Sequence, residues 1–220
     1  MPEWTADKML NGWLDIAQPE TGYRFSVDAL ILAHHINPSV GDQIADIGTG
    51  CGVIPLILAR RFPDVTICGI EVQPELACLA ESNTSNNKLA DRIRIVEKDV
   101  RTVTASETGP VDIVTCNPPH TPKSAGRRNP NPQMAIARHE IMLTISDLAA
   151  AAYRLLSPKG RLFTIYPARR LTEILLQMRS ASLEPKKIRA IHFKSDTPAR
   201  RILIQATKNG QPGIEIAPPL

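Results

Sequence analysis

Three alternating glycines follow one short apolar segment and precede a longer one. Residues 44–47 are expected to form a buried strand, Gly48, Gly50 and Gly52 follow, and an apolar helix continues through Leu58. Glycines at such a turn let the backbone approach a ligand that any Cβ would push away. The start of the helix presents N–H groups without intrahelical partners. This stretch therefore predicts a turn that binds a nucleotide or nucleoside.

The spacing of the glycines separates two classes of nucleotide site. A dinucleotide fingerprint is G-x-G-x-x-G, whereas here the third glycine comes one residue early and Asp46 stands two residues before the first. This D-x-G-x-G-x-G pattern resembles the S-adenosylmethionine turn of Rossmann-like methyltransferases. A nicotinamide cofactor is less favoured, and a glycine-rich turn without a ligand stays open as the structural alternative.

Two acidic residues are placed to bind the rest of such a nucleoside. Glu71 closes the predicted strand 65–70 and lies 21 residues past Gly50, where an acid can accept both ribose hydroxyls. Asp99 follows the predicted strand 93–96 and is placed for the amino group of adenine. The alternatives are a solvated carboxylate at a strand end for Glu71 and an aspartate that only serves a turn for Asp99.

The predicted strand 111–116 ends in the segment Asn117-Pro118-Pro119-His120. Prolines cannot donate to a sheet ladder, so a strand terminator is the simpler interpretation when the segment is taken alone. Beside a glycine turn, it suits methyl transfer to an exocyclic or amide nitrogen, whose lone pair is delocalised. The Asn117 side-chain oxygen and the Pro118 carbonyl can accept the two N–H groups and aim the lone pair at a sulfonium methyl. A flat side chain at His120 can stack on the target.

The predicted elements alternate strand and helix along most of the chain. This alternation predicts an α/β fold with a Rossmann-like, seven-stranded, mostly parallel sheet, helices on both faces and a C-terminal antiparallel strand pair. Residues 1–36 are predicted as an N-terminal hairpin and helix that cap the cofactor site, and residues 37–220 as the methyltransferase domain. Because parallel strands end at one edge, four polar residues should converge there: Asp46, Glu71, Asp99 and Asn117.

Composition limits the partners. The formal charge of +4 and the pI of about 9.0 permit an anionic partner such as RNA without demanding one. The four cysteines lack C-x-x-C spacing, which favours buried thiols in a reducing compartment over metal ligands or disulfides. The first residues do not form a signal peptide, and no segment approaches the roughly 18 apolar residues of a membrane span. We therefore expect a cytoplasmic protein with no membrane partner and no metal.

The segment from Leu10 to Leu220 resembles the bacterial N6-adenine methyltransferases of valine tRNA, whose target base lies just 3′ of the anticodon. The resemblance rests on the stretches LNGWLDIAQPETGYRFSVDALILA, DIGTGCG, GIEVQPE, NPPH, RRNPNPQMAIARHE and APPL, of which the first and the fifth are the most specific. One position departs from the family pattern, because the family usually has Tyr where this chain has His120. That departure puts the identity of the substrate in doubt more than the type of reaction.

The resemblance implies S-adenosylmethionine as the cofactor and assigns roles to individual residues. The implied cofactor contacts are Tyr23, Arg24, Ser26, Asp46, Gly48, Gly50, Gly52, Glu71, Asp99 and Asn117. Within this set Glu71 would hold the ribose and Asp99 the adenine. The implied catalytic segment that binds and stacks on the reactive amine is Asn117, Pro118, Pro119 and His120.

Basic residues indicate an RNA substrate. The predicted loop 121–135 is rich in proline, asparagine and basic residues. We expect Lys123, Arg127 and Arg128 to contact RNA phosphates. Other basic residues could add to this surface or be ordinary solvated side chains: Arg169, Arg170, Lys186, Lys187, Arg189, Arg200 and Arg201. A tRNA is the favoured RNA because an anticodon-loop base is already unpaired.

Three alternative functions stay open. A glutamine-N5 protein methyltransferase is less favoured, because those relatives carry a sizeable helical domain ahead of the glycine turn and only about 40 residues precede it here. A guanine-N2 rRNA methyltransferase would use the same Asn-Pro-Pro chemistry. An inert S-adenosylmethionine-binding module would explain His120, but the intact Asn117 and Pro118 argue against it.

Overall fold

The chain begins with a small antiparallel hairpin. The computed structural model describes residues 4–21, 24–118 and 143–220. Strand β1 (Trp4–Met9) pairs with strand β2 (Leu14–Pro19). Residues 10–12 all have positive φ and make the turn between the two strands.

The main sheet contains eight strands. They are β3 (Gln43–Ile47), β4 (Thr66–Glu71), β5 (Ile93–Glu97), β6 (Val111–Cys116), β7 (Leu156–Pro167), β8 (Leu183–Ile191), β9 (Arg201–Lys208) and β10 (Glu215–Ala217). Their order across the sheet is β10-β8-β9-β7-β6-β3-β4-β5. Strands β3 to β7 run parallel, and β9 runs antiparallel to both β7 and β8.

This topology confirms the predicted α/β fold with a mostly parallel sheet and a C-terminal antiparallel pair. The predicted count of seven strands is wrong by one, because β10 adds an eighth strand parallel to β8. The extra strand covers the backbone N–H and C=O groups that the outer edge of β8 would otherwise expose. It spans three residues, which is too short for an alternating pattern to reveal in the sequence.

Six α-helices lie in the described ranges. They are α1 (Val27–His35), α2 (Val53–Arg61), α3 (Pro74–Asn86), α4 (Ala105–Thr108), α5 (Ile145–Leu155) and α6 (Leu171–Ser180). Helix α3 begins with a proline, which suits the first turn because its missing N–H is not needed there. Helix α5 begins with a capping box between Thr144 and Asp147. A 3₁₀ turn, Ala168–Arg170, leads into α6.

The sheet separates two hydrophobic cores. Ile44 of β3 and Ile113 of β6 face the core that includes α1, α2 and α3. Their neighbours Ala45 and Val114 face the opposite core, which includes α5 and α6. Successive side chains of a strand point to opposite faces, so a sheet buried on both sides needs apolar residues at nearly every position. Helices on both faces were predicted, and the structure confirms them.

The topology places a crevice beside β3. The chain leaves β3 for β4 and β5 on one side and then returns to β6 on the other. In open α/β sheets, ligands bind at the carboxyl ends of the strands where the order reverses in this way. Ile47 at the end of β3 pairs with Cys116 at the end of β6. Gly48 and Asn117 therefore leave the sheet side by side.

Within residues 4–21, 24–118 and 143–220, no helix has both the length and the apolar character that a membrane span requires.

Candidate active site

The glycine turn is held against the end of β4. The N–H groups of Gly48 and Thr49 both donate to the carbonyl of Ile70, at 2.9 and 3.1 Å. Gly48, Gly50 and Gly52 have φ values of 69°, 58° and 85°, a region that other residues rarely adopt. A Cβ at Gly52 would lie 3.3 Å from the Ala80 Cβ, whereas a Cβ at Gly48 would meet nothing within 4 Å. The turn is thus packed against α3 on one side and open at Gly48.

Glu71 braces this turn from the end of β4. Its Oε2 accepts the N–H of Gly50 at 2.9 Å, and its Oε1 accepts the N–H groups of Val72 and Gln73, both at 3.0 Å. Burial raises the pKa of this carboxyl, and the three N–H donors act against that rise. The predicted contact of Glu71 with a ribose stays a prediction. The sequence analysis did not predict the hydrogen bond from Gly50 to Glu71, although it had already noted the spacing of 21 residues between them.

Asp46 lies beneath the turn, and no described residue makes a hydrogen bond of good geometry to its carboxyl group. It is 1% exposed and pairs in register with Gly69 on one side and Thr115 on the other. In the described parts of the chain, neither of its carboxyl oxygens is bonded, and the hydroxyls of Thr49 and Thr115 are also unpartnered. Burial raises the pKa of Asp46 to about 8, the nearby hydroxyl of Thr49 acts against that rise, and the charge of Glu71 adds to it. Buried carboxyls are rarely left unsatisfied, so this one suits a donor supplied from outside the chain.

Asn117 and Pro118 follow β6 at the same edge. Asn117 is half-buried and Pro118 is buried. The side chain of Asn117 makes no hydrogen bond to another residue in the ranges that the structure describes. The other predicted residues of the amine and RNA sites, together with Tyr23, lie outside the described residues: Pro119, His120, Lys123, Arg127 and Arg128.

Asp99 sits at the third strand end, after β5. Its carboxylate accepts from Nε of Arg101 at 2.9 and 3.0 Å and from the Arg101 backbone N–H at 2.9 Å. The hydrogen bonds of Arg101 hold the pKa of this carboxyl below its usual value. The convergence of four strand-end residues was predicted from the topology, and Asp99 does close the strand beyond Glu71. Its predicted contact with adenine stays a prediction, and that contact would share the carboxylate with Arg101.

The residues ahead of α1 tie the hairpin to this edge. Arg24 donates to Asp7 Oδ2 and Thr5 Oγ1, at 2.8 and 2.6 Å, so its guanidinium bonds the hairpin. Ser26 occupies the N-cap position of α1 but makes no side-chain capping bond. Whether Arg24 or Ser26 contacts the cofactor stays a prediction.

The sequence interpretation passed over two further polar residues, Asn83 in α3 and Asn87 at the C-cap of that helix. Asn83 is fully buried and Asn87 nearly so. Both bond the backbone of β2, and Asn83 also bonds the glycine turn. The signal was available as two asparagines four residues apart on an otherwise core-facing side of a helix.

The described part of the chain holds no group of three or more His, Cys, Asp or Glu arranged for a metal ion.

Comparison with known proteins assigns a family to this arrangement. A family model described as "methyltransferase small domain" matches residues 24–181, which include the glycine turn and Asn117. The chain belongs to this methyltransferase family. The methyltransferase activity that the sequence predicted is thereby confirmed.

Two curated relatives cover most of the methyltransferase. A tRNA1(Val) (adenine(37)-N6)-methyltransferase of Porphyromonas gingivalis is 32% identical over 196 residues, which cover 86% of this chain and 76% of the relative. An enzyme of the same name from Aeromonas hydrophila is 30% identical over 183 residues, which cover 83% of this chain and 75% of the relative. The family resemblance inferred from the quoted sequence stretches is confirmed by these matches.

Solved structures support the fold. The crystal structure of a predicted O-methyltransferase from Agrobacterium tumefaciens superimposes with a TM-score of 0.71 at 23% identity, covering 88% of this methyltransferase and 86% of that chain. A methyltransferase from Pyrococcus furiosus gives a TM-score of 0.65 at 21% identity and covers 91% of both chains. At these identities the likeness shows the fold alone.

Proposed function

We propose that this methyltransferase transfers a methyl group from S-adenosylmethionine to the exocyclic N6 of an adenine in the anticodon loop of a tRNA. One observation carries the proposal. The half-buried amide of Asn117 leaves the sheet beside Gly48, the open glycine of the turn. The similarity to enzymes named for adenine-N6 methylation of tRNA adds independent support.

The residues present fit S-adenosylmethionine. Asp46 offers a buried carboxyl group without a described hydrogen-bond partner to a polar group of such a ligand, and Gly48 leaves open space where a side chain would stand. Glu71 and Asp99 end the next two strands and would hold the ribose and the adenine. The cofactor supplies an electrophilic methyl group on a positively charged sulfur.

The role of the chain in the chemistry is to present the amine. The side-chain oxygen of Asn117 accepts one N–H of the adenine N6, and the backbone carbonyl of Pro118 accepts the other. Both acceptors are held by the end of β6 and by the fixed geometry of proline. Two acceptors draw the nitrogen toward tetrahedral geometry and free its lone pair. No strong base is needed, because the proton can leave after the methyl arrives.

Two described arginines supply an RNA contact beside this edge. Arg169 and Arg200 are exposed, and the N–H of Ala168 donates to the Arg200 carbonyl at 3.1 Å, which brings the two segments together. Neither guanidinium bonds a residue in the described ranges. The two neighbouring arginines form ion pairs within the chain, Arg170 with Glu173 and Arg201 with Asp28. We expect Arg169 and Arg200 to contact tRNA phosphates together with the predicted loop residues Lys123, Arg127 and Arg128.

The test uses radiolabelled S-adenosylmethionine with three separate acceptors: bulk tRNA, rRNA and a release-factor-like protein. We expect label in tRNA only. A valine tRNA transcript with the adenine 3′ of the anticodon replaced by guanine should then lose the label. Label only in protein, or only in rRNA, would replace the proposed substrate by glutamine or by guanine-N2. Cofactor binding without transfer to any acceptor would indicate an inert module.

A further inference from the structure

Helix α3 takes the place of a neighbouring strand for β2. The side-chain oxygen of Asn83 accepts the N–H of Ala17 at 2.8 Å, and its amide nitrogen donates to the carbonyl of the same residue at 2.9 Å. Asn87 does the same with Asp15, at 3.1 and 2.6 Å. Each carboxamide thus pairs with both backbone groups of one strand residue, as a second strand would.

The spacing explains why two asparagines suffice. Residues four apart on a helix lie on one face and are separated by about 6 Å along the axis. Residues two apart on a strand point the same way and are separated by about 6.6 Å. Asn83 and Asn87 therefore meet Ala17 and Asp15 with little adjustment. The helix closes the edge of β2 that does not pair with β1.

Asn83 differs from Asn87 in one contact. Its second amide hydrogen is donated to the carbonyl of Cys51, at 2.9 Å, inside the glycine turn. The corresponding hydrogen of Asn87, the C-cap residue, is donated to the Asn83 carbonyl in the last turn of α3, at 2.8 Å. Asn83 is 0% exposed, so its carboxamide bonds only groups of the chain. One buried side chain thereby links the hairpin, α3 and the turn.

We infer that Asn83 is a positioning residue for cofactor binding, which holds the glycine turn in its binding conformation and couples it to the N-terminal hairpin. The inference rests on the proposed use of S-adenosylmethionine. The Cys51 carbonyl lies between Gly50 and Gly52, which both have positive φ. Glycines leave the backbone many alternative conformations, so contacts from outside the turn are needed to hold it in one of them. From the sheet side, Glu71 accepts a hydrogen bond from the N–H of Gly50. From the helix side, Asn83 donates one to the carbonyl of Cys51.

The experiment compares Asn83→Ala with Asn87→Ala as a matched control. Both variants lose the two bonds to β2, but only Asn83→Ala loses the bond to the turn. We expect the dissociation constant for S-adenosylmethionine, measured by calorimetry, to rise about tenfold or more in Asn83→Ala and less than about threefold in Asn87→Ala. Their melting temperatures should fall by similar amounts, since each variant loses one buried and two partly buried hydrogen bonds.

Two results would overturn the inference: an unchanged dissociation constant in Asn83→Ala, or an equal rise in both variants, which would indicate general loosening. Wild-type protein that fails to bind S-adenosylmethionine would instead refute the proposed function. Hydrogen exchange on the wild type provides a measurement that needs no variant to fold. Addition of S-adenosylmethionine should slow exchange both in the glycine turn and at the Ala17 amide, and protection confined to the turn would contradict the coupling.

Discussion

The carboxylate of Asp28 accepts from Nε of Arg201 at 2.8 Å, although the two residues are 173 positions apart. Asp28 lies in the first turn of α1, and Arg201 is the first residue of β9, opposite Pro167 at the end of β7. The Asp28 side chain is 6% exposed and that of Arg201 22%. This ion pair fastens the helix that follows the hairpin to the edge of the sheet that carries the active site.

Loss of this pair should destabilise the fold. Asp28→Ala leaves the Arg201 guanidinium partly buried without its acceptor, so we expect the free energy of unfolding to fall by about 1–3 kcal/mol. Arg200→Ala serves as the control, because that side chain is exposed and should change stability by less than about 0.5 kcal/mol. Urea unfolding of Asp28→Ala, Arg201→Ala and the double variant Asp28→Ala/Arg201→Ala measures the coupling energy of the pair. Additive effects would show that the pair contributes nothing.

Asn117→Ala should separate catalysis from cofactor binding. The variant loses the side-chain acceptor for the amine but leaves the glycine turn and Glu71 unchanged. We expect kcat to fall by about a hundredfold or more and the dissociation constant for S-adenosylmethionine to stay within about threefold of wild type. Single-turnover transfer and calorimetry give the two values. A loss of cofactor binding as large as the loss of rate would assign Asn117 to the cofactor instead.

Asp46 should make stability depend on pH. Its pKa is raised to about 8 in the folded protein, whereas an exposed aspartate has a pKa near 4. Between these values the unfolded chain releases the proton and the folded chain keeps it. Ionisation of Asp46 therefore favours unfolding, and its contribution to the free energy of unfolding falls as pH rises from about 4 to 8, by at most about 1.4 kcal/mol per pH unit.

The comparison with Asp46→Asn isolates this effect, since other titrating groups are shared by both proteins. Urea unfolding at pH 5, 6, 7 and 8 should show a steeper decline for wild type than for the variant. Parallel pH profiles would mean that Asp46 is ionised in the folded protein or bonded by a group that the described residues do not include.

Charge reversal at Arg169 and Arg200 should weaken tRNA binding without affecting the cofactor. In a plot of log K for tRNA binding against log salt concentration, the slope is negative. Each lost phosphate contact makes this slope less negative by about one. We expect Arg169→Glu/Arg200→Glu to raise KM for tRNA about tenfold or more and to leave kcat close to wild type. Lys159→Glu, an exposed change at the opposite end of β7, is the control. Equal effects of the two changes would indicate only the loss of net positive charge.

Much of the fold and of the candidate site could be predicted because the determining features are local. A strand that runs into Gly48, Gly50 and Gly52 requires a turn at that point, and the prolines after Asn117 require β6 to end there. Alternating strands and helices then require parallel strands, which bring those two segments to one edge. Each step depends on backbone conformation or hydrophobic period, and neighbouring residues determine both.

Tertiary structure alone decided which polar groups meet. The sequence could not show that Arg201 is occupied by Asp28 while Arg200 is exposed, because adjacent arginines are equivalent until packing orients them. Nor could it show that Asn83 joins Ala17 to Cys51, since those positions are 66 and 32 residues away along the chain. The local sequence determines where helices and strands form and where they end. Hydrogen bonds between distant residues depend instead on the angles and distances at which these elements pack.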